Sequence, residues 1–378
     1  MRIISRKVLI AVAIVMLAPM PAFADNAEEI KKLQKRIEDL EKHQAPEKKE
    51  SNWLLNSKAI QVYGQARVSV DNHSGDWQSG SDGTSIVSNA SRIGVKGEIP
   101  SGLADSSVIY QAEVRYETTD SVDGTAGKKL EFREGYAGLA SPTWGKIRFG
   151  RLGTAYKTTL TEIDPWNDNA PESRSGGRQG SSELHASYFN NAADYVTPEL
   201  IPGLKASIWY ASEFDDDANP LHNTGNLKNF TGGSAAGLGL KYNAGPIFIG
   251  ADYINIEADD ITKDGLTNDG GWQIGARYKL KDFSVAAFYE DTEDIGLGRN
   301  AYVNGIYKIG KTRLIAAYGI NRDGLVYKND KFNNWSLGTK YDLNKKSELF
   351  AAYNSRQNDT KNTEENTITV GLNVKFGY

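Results

Sequence analysis

The sequence predicts an all-β protein: a 16-stranded antiparallel transmembrane β-barrel that is preceded by a short N-terminal helix. Three observations support this fold class. Polar and apolar residues alternate along many short segments, the connections between these segments alternate in length, and aromatic residues recur near segment ends. The hydrophobic content of 39% is also below the value for soluble domains, about 45–50%. A barrel with a polar interior accounts for this composition better than a packed core does.

The first 24 residues have the organisation of a secretory signal peptide. Three basic residues begin the chain, residues 8–17 are apolar, and residues 22–24 form an A-x-A ending. We therefore predict cleavage before Asp25 and export of the mature chain. The apolar run is shorter than the ~20 residues that a membrane-spanning helix needs.

Residues 25–57 are predicted to form a periplasmic helix followed by a linker. Four apolar residues recur at a 3-4-3 spacing between Lys and Glu, a short heptad pattern: Ile30, Leu33, Ile37 and Leu40. This pattern is typical of a coiled coil. Two heptads are only marginally stable alone, so a single amphipathic helix or a frayed tail remains the alternative.

Alternation with a period of two continues through residues 58–378, the predicted barrel. The C-terminus shows it best, because residues 367–378 place every apolar side chain on one face of a strand. Most of the sixteen candidate strands are near the 9–11 residues that cross a membrane when tilted. They are residues 60–70, 88–98, 106–117, 130–140, 145–152, 187–198, 204–214, 234–243, 246–255, 271–280, 283–291, 300–308, 312–321, 332–342, 347–355 and 367–378.

The connections between these strands sort by length. Short turns, such as residues 141–144 and 280–282, alternate with longer polar segments, such as residues 215–233 and 257–270. Short turns on one side and long loops on the other are typical of a transmembrane barrel. A periplasmic β-sandwich is the alternative, but it has no reason to sort its connections or to place aromatic residues at strand ends.

Several segments carry a family resemblance when they are taken in order. They are VYG at residues 62–64, SRIGVKG at 91–97, GYAGL at 135–139, GKIRFGR at 145–151 and NNAADYVTP at 190–198, followed by the terminal aromatic residue. Residues 58–378 thereby resemble the general diffusion porins of Gram-negative bacteria, a family of trimeric 16-stranded outer-membrane barrels.

The resemblance implies a passive, water-filled channel for ions and small hydrophilic solutes. It also implies a homotrimer in the outer membrane, surrounded by lipid and lipopolysaccharide and inserted by the barrel assembly machinery. Phe376 and Tyr378 would then be the C-terminal assembly signal. A substrate-selective porin with a binding track at its constriction is the alternative. Residues 118–129, the second loop, are where a neighbouring subunit would be gripped.

The resemblance further implies that the third loop, residues 152–184, folds into the lumen. Its candidate acids are Glu162, Asp164, Asp168 and Glu172, which would face basic residues on the opposite wall. Arg92 and Arg151 match the family's basic positions, strand parity points Arg67 and Arg148 inward, and the loop itself contributes Arg174 and Arg178. The near balance of these charges, together with acidic outer loops, predicts weak cation selectivity.

Three features refine this prediction. Arg151 shares parity with outward residues, so it needs a bulge at Gly150 to face the lumen. Gln65 stands where relatives often have a lysine, and Tyr188 begins a strand where they have an arginine. The basic wall is therefore predicted to be incomplete.

Catalytic and cofactor functions find little support. The four histidines are far apart, and a pair such as His185 with Ser181 or Ser182 is common by chance; without an orienting acid in known geometry it is not a catalytic site. No cysteine is present, which excludes a thiolate metal site, and the mildly acidic chain gives no reason to expect nucleic acid as a partner. We expect no enzyme activity, no cofactor and no bound metal. The acidic runs 215–217 and 259–260 are more simply solvated loop tips than calcium sites.

Overall fold

The computed structural model describes residues 58–76, 82–119, 130–174, 177–186, 188–212 and 230–377, and three exposed helical residues near the N-terminus, Lys32, Lys35 and Arg36. The chain divides into two units, Met1–Asn56 and Ser57–Tyr378. The predicted signal peptide and, beyond the three helical residues, the predicted coiled coil lie outside the described residues. None of the helices in the described part of the chain is long and apolar enough to cross a membrane.

The second unit is a closed antiparallel barrel, because its first strand pairs with its last. The strands are β1 (Gln61–Gly75), β2 (Gly83–Ser88), β3 (Arg92–Pro100), β4 (Ser107–Tyr116), β5 (Leu130–Ser141), β6 (Gly145–Leu152), β7 (Phe189–Val196), β8 (Leu204–Ser212), β9 (Phe230–Thr231), β10 (Ser234–Ala244), β11 (Ile247–Glu257), β12 (Asp260–Ile261), β13 (Gly270–Leu280), β14 (Phe283–Thr292), β15 (Gly298–Ile309), β16 (Thr312–Arg322), β17 (Phe332–Asn344), β18 (Ser347–Asn358) and β19 (Thr363–Phe376).

Sixteen crossings result, as predicted from the sequence. Strands β2 and β3 both pair with β1 and are two parts of one crossing, interrupted at residues 89–91. Strands β9 and β12 pair with each other in a separate ribbon and do not belong to the barrel. Several strands extend further toward the loop side than predicted, as β1 and β19 do, because they remain paired with each other as far as Gly75 and Glu365.

The strands present one polar and one apolar face, as the alternation predicted. In β1, Gln65, Arg67 and Ser69 are buried toward the barrel interior, whereas Val62 and Val70 are about half exposed on the outside. The same outward exposure recurs in large apolar residues of other strands, including Ile208, Leu240, Ile274 and Val303. A continuous outward apolar surface of this kind is what the lipid of a membrane requires.

The described residues of the third loop, 153–174, 177–186 and 188, lie inside the barrel, which confirms that part of the fold prediction. The loop begins with the only α-helix of the described barrel residues, α1 (Ala155–Thr161), and ends with a 3₁₀ turn at Glu183–Ala186. Leu160 and Ile163 pack against Phe248 and Phe288 of the inner wall. Further along the loop, Trp166 packs in a second cluster with Ile315, Phe350 and Ala352. The wall beneath the loop is therefore apolar at these two places, and burial of these side chains stabilises the inward position.

Of the three register irregularities among the described strands, two modify the parity near the predicted site residues, and the third adds Leu343 to β17. In β5, Glu134 pairs with Glu113 but Phe132 pairs with Val114, so Arg133 is an extra residue opposite β4. Between β6 and β7, Gly150 pairs with Ala192 and Leu152 with Phe189. The irregularity predicted at Gly150 is thus present, but the prediction was wrong about the strand, because the extra residue is in β7. An extra residue turns the next side chain to the other face of the sheet.

Candidate functional site: a ring of charged side chains inside the barrel

Asp168, on the third loop, is the centre of the charged groups in the lumen. Its Oδ2 atom lies 3.0 Å from Nη1 of both Arg67 and Arg92, on the first two crossings. Its Oδ1 atom accepts a hydrogen bond of 2.6 Å from Arg174 of the same loop. The loop therefore contacts the basic wall directly at this point. The predicted opposition of loop acids and wall arginines is here a set of ion pairs.

These contacts continue into a closed ring of seven side chains that runs from the loop to the wall and back. Arg92 lies 3.6 Å from Glu113 of β4, and Glu113 lies 3.0 Å from Arg133 of β5. Arg133 donates a hydrogen bond of 2.7 Å to the hydroxyl of Tyr188. We call this set the inner ring; its members are Arg92, Glu113, Arg133, Lys157, Asp168, Arg174 and Tyr188.

The loop supplies the other half of the inner ring. The ammonium group of Lys157 lies 4.4 Å from the ring centroid of Tyr188, within the range of a cation–π contact. Both Lys157 and Arg174 donate to the backbone carbonyl of His185, at 2.8 and 3.2 Å. Arg174 also forms an ion pair with Asp168, and this contact completes the ring. Within it, four cationic groups accompany two carboxylates.

Burial and neighbouring charges perturb the loop groups in opposite directions. Burial raises the pKa of Asp168, but Arg92, Arg174 and Arg67 outweigh it and hold the pKa well below its usual range. Burial raises the pKa of Glu172 above its usual range, and Asp168 adds to this effect. Burial also lowers the pKa of Lys157 well below its usual range, with the charge of Arg174 as the next cause. Asp168 is therefore the fixed negative charge of the loop.

Of the other predicted loop acids, only Glu172 joins this cluster. It accepts hydrogen bonds from the backbone of Asp168 at 2.7 Å and from Arg174 at 3.0 Å. Asp164 instead holds the loop backbone, because it accepts from the amides of residues 166 and 173, at 2.8 and 2.7 Å. Glu162 is exposed and pairs with Arg277 of β13 at 3.3 Å. The sequence could not separate these roles, because all four acids lie on one irregular segment.

The remaining predicted basic residues lie outside the inner ring. Arg148 pairs with Asp194 at 2.5 Å and with Glu134 at 3.4 Å on the neighbouring wall. Arg151 is buried and donates to backbone carbonyls of β5 and to Asn190 at 2.6 Å. Arg178 lies over the ring of Phe332 at 5.7 Å.

The predicted assembly signal and the position of Gln65 complete the comparison with the sequence. Phe376 ends β19 opposite Gly64, and Tyr378 lies outside the described residues. With its amide oriented to satisfy both groups, the oxygen of Gln65 accepts from Arg92 at 2.8 Å.

Four members of the inner ring were not among the predicted site residues: Glu113, Arg133, Lys157 and Tyr188. Arg133 and Glu134 are adjacent in sequence, yet both face the lumen, because the register shift in β5 interrupts the alternation. No simple parity rule finds such a residue. Tyr188, noted in the sequence only as standing where relatives have an arginine, has three cations over its ring, because Arg133 and Arg151 lie 5.3 and 5.5 Å from its centroid in addition to Lys157.

A second polar cluster fastens both ends of the third loop to β14. The buried carboxylate of Glu290 accepts hydrogen bonds from Tyr156 at 2.6 Å and from the hydroxyl and amide of Ser182, both at 2.8 Å. His185 Nε2 lies 3.1 Å from the same carboxylate, and Asn300 donates to it at 2.9 Å. Ser182 and His185 therefore both bind Glu290 and are not arranged as nucleophile and base. Among the described residues, no group of three or more potential ligands is arranged to hold a metal.

A closed barrel with an inward third loop and a charged interior defines the class of transmembrane channel proteins that form aqueous pores. The family model described as Gram-negative porin matches residues 11–362. The chain belongs to the Gram-negative porin family.

Individual relatives are distant but cover most of the chain. An outer membrane porin of Bordetella pertussis is 23% identical over 77% of this chain and 83% of its own length. The major outer membrane protein P.IB of Neisseria sicca is 26% identical over 84% of this chain and 94% of its own length. OmpF of Salmonella typhi, solved in complex with daunomycin, superposes with a TM-score of 0.64 at 18% identity, over 84% of this chain and 97% of that chain. A mutant of the Rh. blastica porin superposes with a TM-score of 0.59 at 16% identity, over 84% of this chain and all of that chain.

These findings confirm the predictions of a porin, of its fold and of an outer-membrane location. Members of this family are channels rather than enzymes. The substrate-selective alternative is not favoured.

Proposed function

We propose that the inner ring is the constriction of a passive channel for ions and small hydrophilic solutes. The observation that carries this proposal is the direct contact of Asp168, on the loop, with Arg67 and Arg92, on the wall. These contacts bring loop and wall together at a level where charged side chains line the interior. A 16-stranded barrel encloses an aqueous channel rather than a packed core, so its narrowest charged level controls permeation.

The charges of the inner ring favour anions. Three arginines and Lys157 face two carboxylates; the raised pKa of Glu172 reduces its negative charge, and the lowered pKa of Lys157 reduces its positive charge, so three arginines against two carboxylates set the balance. Charges at the narrowest level act most strongly because water is scarce there. The sequence alone led to an expectation of weak cation preference, since it omitted Arg133 and Lys157 from the balance. We therefore propose a modest anion preference.

Purified protein in a planar bilayer tests both parts. We expect stable ohmic conductance and, in a salt gradient, a reversal potential on the anion side that falls toward zero as salt rises. If the bilayer shows no conductance, the proposed channel function is excluded. A conducting channel with a cation-side reversal potential would leave the channel standing and would exclude the inner ring as the element that sets ion preference.

The chain is proposed to assemble as a homotrimer in the outer membrane, with the second loop gripping a neighbouring subunit. The family membership supports this proposal. On a gel, we expect a band at about three times the monomer mass, which heating converts to the monomer band. Deletion of residues 26–50 should leave the trimer intact if the barrel wall holds it. Monomers after this deletion would assign assembly to the N-terminal region.

The ends of the chain are proposed to act in the periplasm and during insertion. Strand β1 begins, and strand β19 ends, on the side of the barrel where the connections are short turns. This supports a periplasmic location for residues 25–57. Phe376 and Tyr378 would be read by the barrel assembly machinery, with lipid and lipopolysaccharide around the finished barrel. Replacement of both aromatic residues by Ala should reduce the folded fraction in cells. An unchanged amount of folded barrel would contradict the assembly signal.

A further inference from the structure

The inner wall beneath the third loop contains glycines at the places where the loop approaches most closely. Gly250 of β11, Gly275 of β13 and Gly319 of β16 are buried and face the interior. Each is covered by a different part of the loop: Thr159, Ile163 and the Gln179–Gly180 backbone. We call these three residues the glycine track. Glycine weakens a strand interior and marks sites where another part of the chain approaches closely.

The contacts leave no space for a side chain on the glycine track. A Cβ atom at Gly250 would lie 2.6 and 2.7 Å from Cγ2 and Oγ1 of Thr159. A Cβ atom at Gly319 would lie 2.2 Å from the carbonyl oxygen of Gln179 and 2.8 Å from Cα of Gly180. Carbon atoms in ordinary contact are separated by about 3.5–4.0 Å. At Gly319, where the opposing atoms are backbone, one methyl group would therefore push the loop about 1 Å from the wall, and at Gly250 it would press on the side chain of Thr159.

The loop has no easy way to absorb this displacement. At Gly319 the opposing atoms belong to the loop backbone, and the amide of Gly180 is bound to Asn321 at 2.8 Å. On the far side of the loop, Asp168 and Arg174 belong to the inner ring. A loop displaced from the glycine track must therefore move into the lumen, toward the groups that line the passage.

We propose that Gly250, Gly275 and Gly319 are positioning residues of the channel: the absence of side chains there sets how deeply the third loop lies against the wall, and so sets the width of the passage. The inference rests on the proposed channel function and adds residues that touch no permeating solute. They act through the position of the loop alone.

The test compares single-channel conductance and reversal potential of Gly250→Ala and Gly319→Ala with those of the unmodified protein. We expect both variants to migrate as folded, heat-sensitive species and to conduct about 1.5-fold less or lower still, because the passage narrows. The matched control is Gly305→Ala. Gly305 lies on β15, and a Cβ atom there would meet only one atom, Cε2 of Phe283 at 4.0 Å.

A compensating change separates loop position from general damage to a strand. Thr159→Ala removes both atoms that lie within 3 Å of the added methyl group at residue 250, so the double variant should recover the conductance of the unmodified channel. Recovery by the double variant supports the proposal even if Gly250→Ala alone does not fold. Ile163→Val gives a second such pair with Gly275→Ala, because it removes the Cδ1 atom at 2.2 Å.

Three results would overturn the proposal: unchanged conductance in both single variants, an equal loss in Gly305→Ala, or no recovery in either double variant. If the unmodified protein itself shows no conductance, the proposed channel function is excluded. This result differs from the three above, which exclude only the positioning role of the glycines.

Discussion

The carboxylate of Asp168 lies 3.0 Å from the guanidinium of Arg92, although 76 residues separate them in sequence. This contact joins the third loop to the second crossing of the barrel. It is buried, since only 2% of the Asp168 side chain is exposed. It is one of the two places where the inner ring passes from loop to wall, the other being the hydrogen bond from Arg133 to Tyr188.

The first prediction concerns Asp168→Asn. The change removes the negative charge that three arginines share and leaves the cations of the inner ring in excess. Loss of one partner from a buried ion pair costs about 3–5 kcal/mol, so the loop should also loosen. We expect the reversal potential to move further toward anions and open-channel noise to rise in bilayer recordings. Glu162→Gln is the control, since Glu162 pairs with Arg277 outside the ring; equal shifts in both variants would contradict the role of Asp168.

The second prediction concerns Arg133→Gln, at the extra residue of β5. This change removes one of the four cations and leaves Glu113 facing Arg92 alone. The reversal potential should move toward cations by an amount that decreases at high salt. Arg299→Gln serves as control, because Arg299 is an exposed residue that pairs with Asp323. Arg133 would have no part in selectivity if its variant kept the parent reversal potential.

The third prediction is a dependence of ion preference on pH. As pH rises, Glu172 gains a negative charge and Lys157 loses a positive one, so both changes weaken anion preference. The raised pKa of Glu172 places the start of this change above the usual carboxyl range, and the lowered pKa of Lys157 places its end below the usual lysine range. Reversal potentials recorded from about pH 4 to about pH 10 cover both groups.

Two variants identify the groups responsible for this pH dependence. Glu172→Gln should remove the lower part of the profile and Lys157→Met the upper part. Lys311→Met is the control, since Lys311 is exposed in a short turn. A flat profile in the parent protein would show that neither group titrates in this range.

The fourth prediction concerns Glu290→Gln, at the cluster that fastens the ends of the third loop. The amide keeps the shape but places a donor against Ser182 or Asn300, which are themselves donors. An unsatisfied buried group costs about 1–3 kcal/mol. We expect a lower unfolding temperature and noisier open channels, with the gel migration of the folded form unchanged. Glu293→Gln, at an exposed site, should alter neither; quiet channels in Glu290→Gln would indicate that other contacts suffice to hold the loop.

The sequence predicted the barrel well because its rules are local. Alternation in β1 identifies both faces, and the short turns identify one side of the membrane, since each depends only on neighbouring residues. The strand number therefore followed from these patterns, whereas the inward third loop was implied by the family resemblance. Strand ends were predicted less well, because pairing with a neighbour extends β1 and β19 beyond the region of clear alternation.

The charged site was only partly predictable. Arg67 and Arg92 follow strand parity, and both bind the loop acid Asp168. Arg133 could not be predicted, because its side chain faces inward only through the register shift in β5, and position 133 carries no residue type, such as glycine, that would signal this shift. Lys157 lies on a short helix whose orientation depends on packing against the wall. Long-range contacts of this kind are absent from any local pattern.

The extra residue in β5 also bears on how such a pore could change over generations. Arg133 and Glu134 both face the lumen, so deletion of Arg133 alone would restore strict alternation and leave Phe132 and Glu134 on their present faces. Loss of one codon would in this way remove a cation from the pore and leave the lipid-facing side of the strand unchanged.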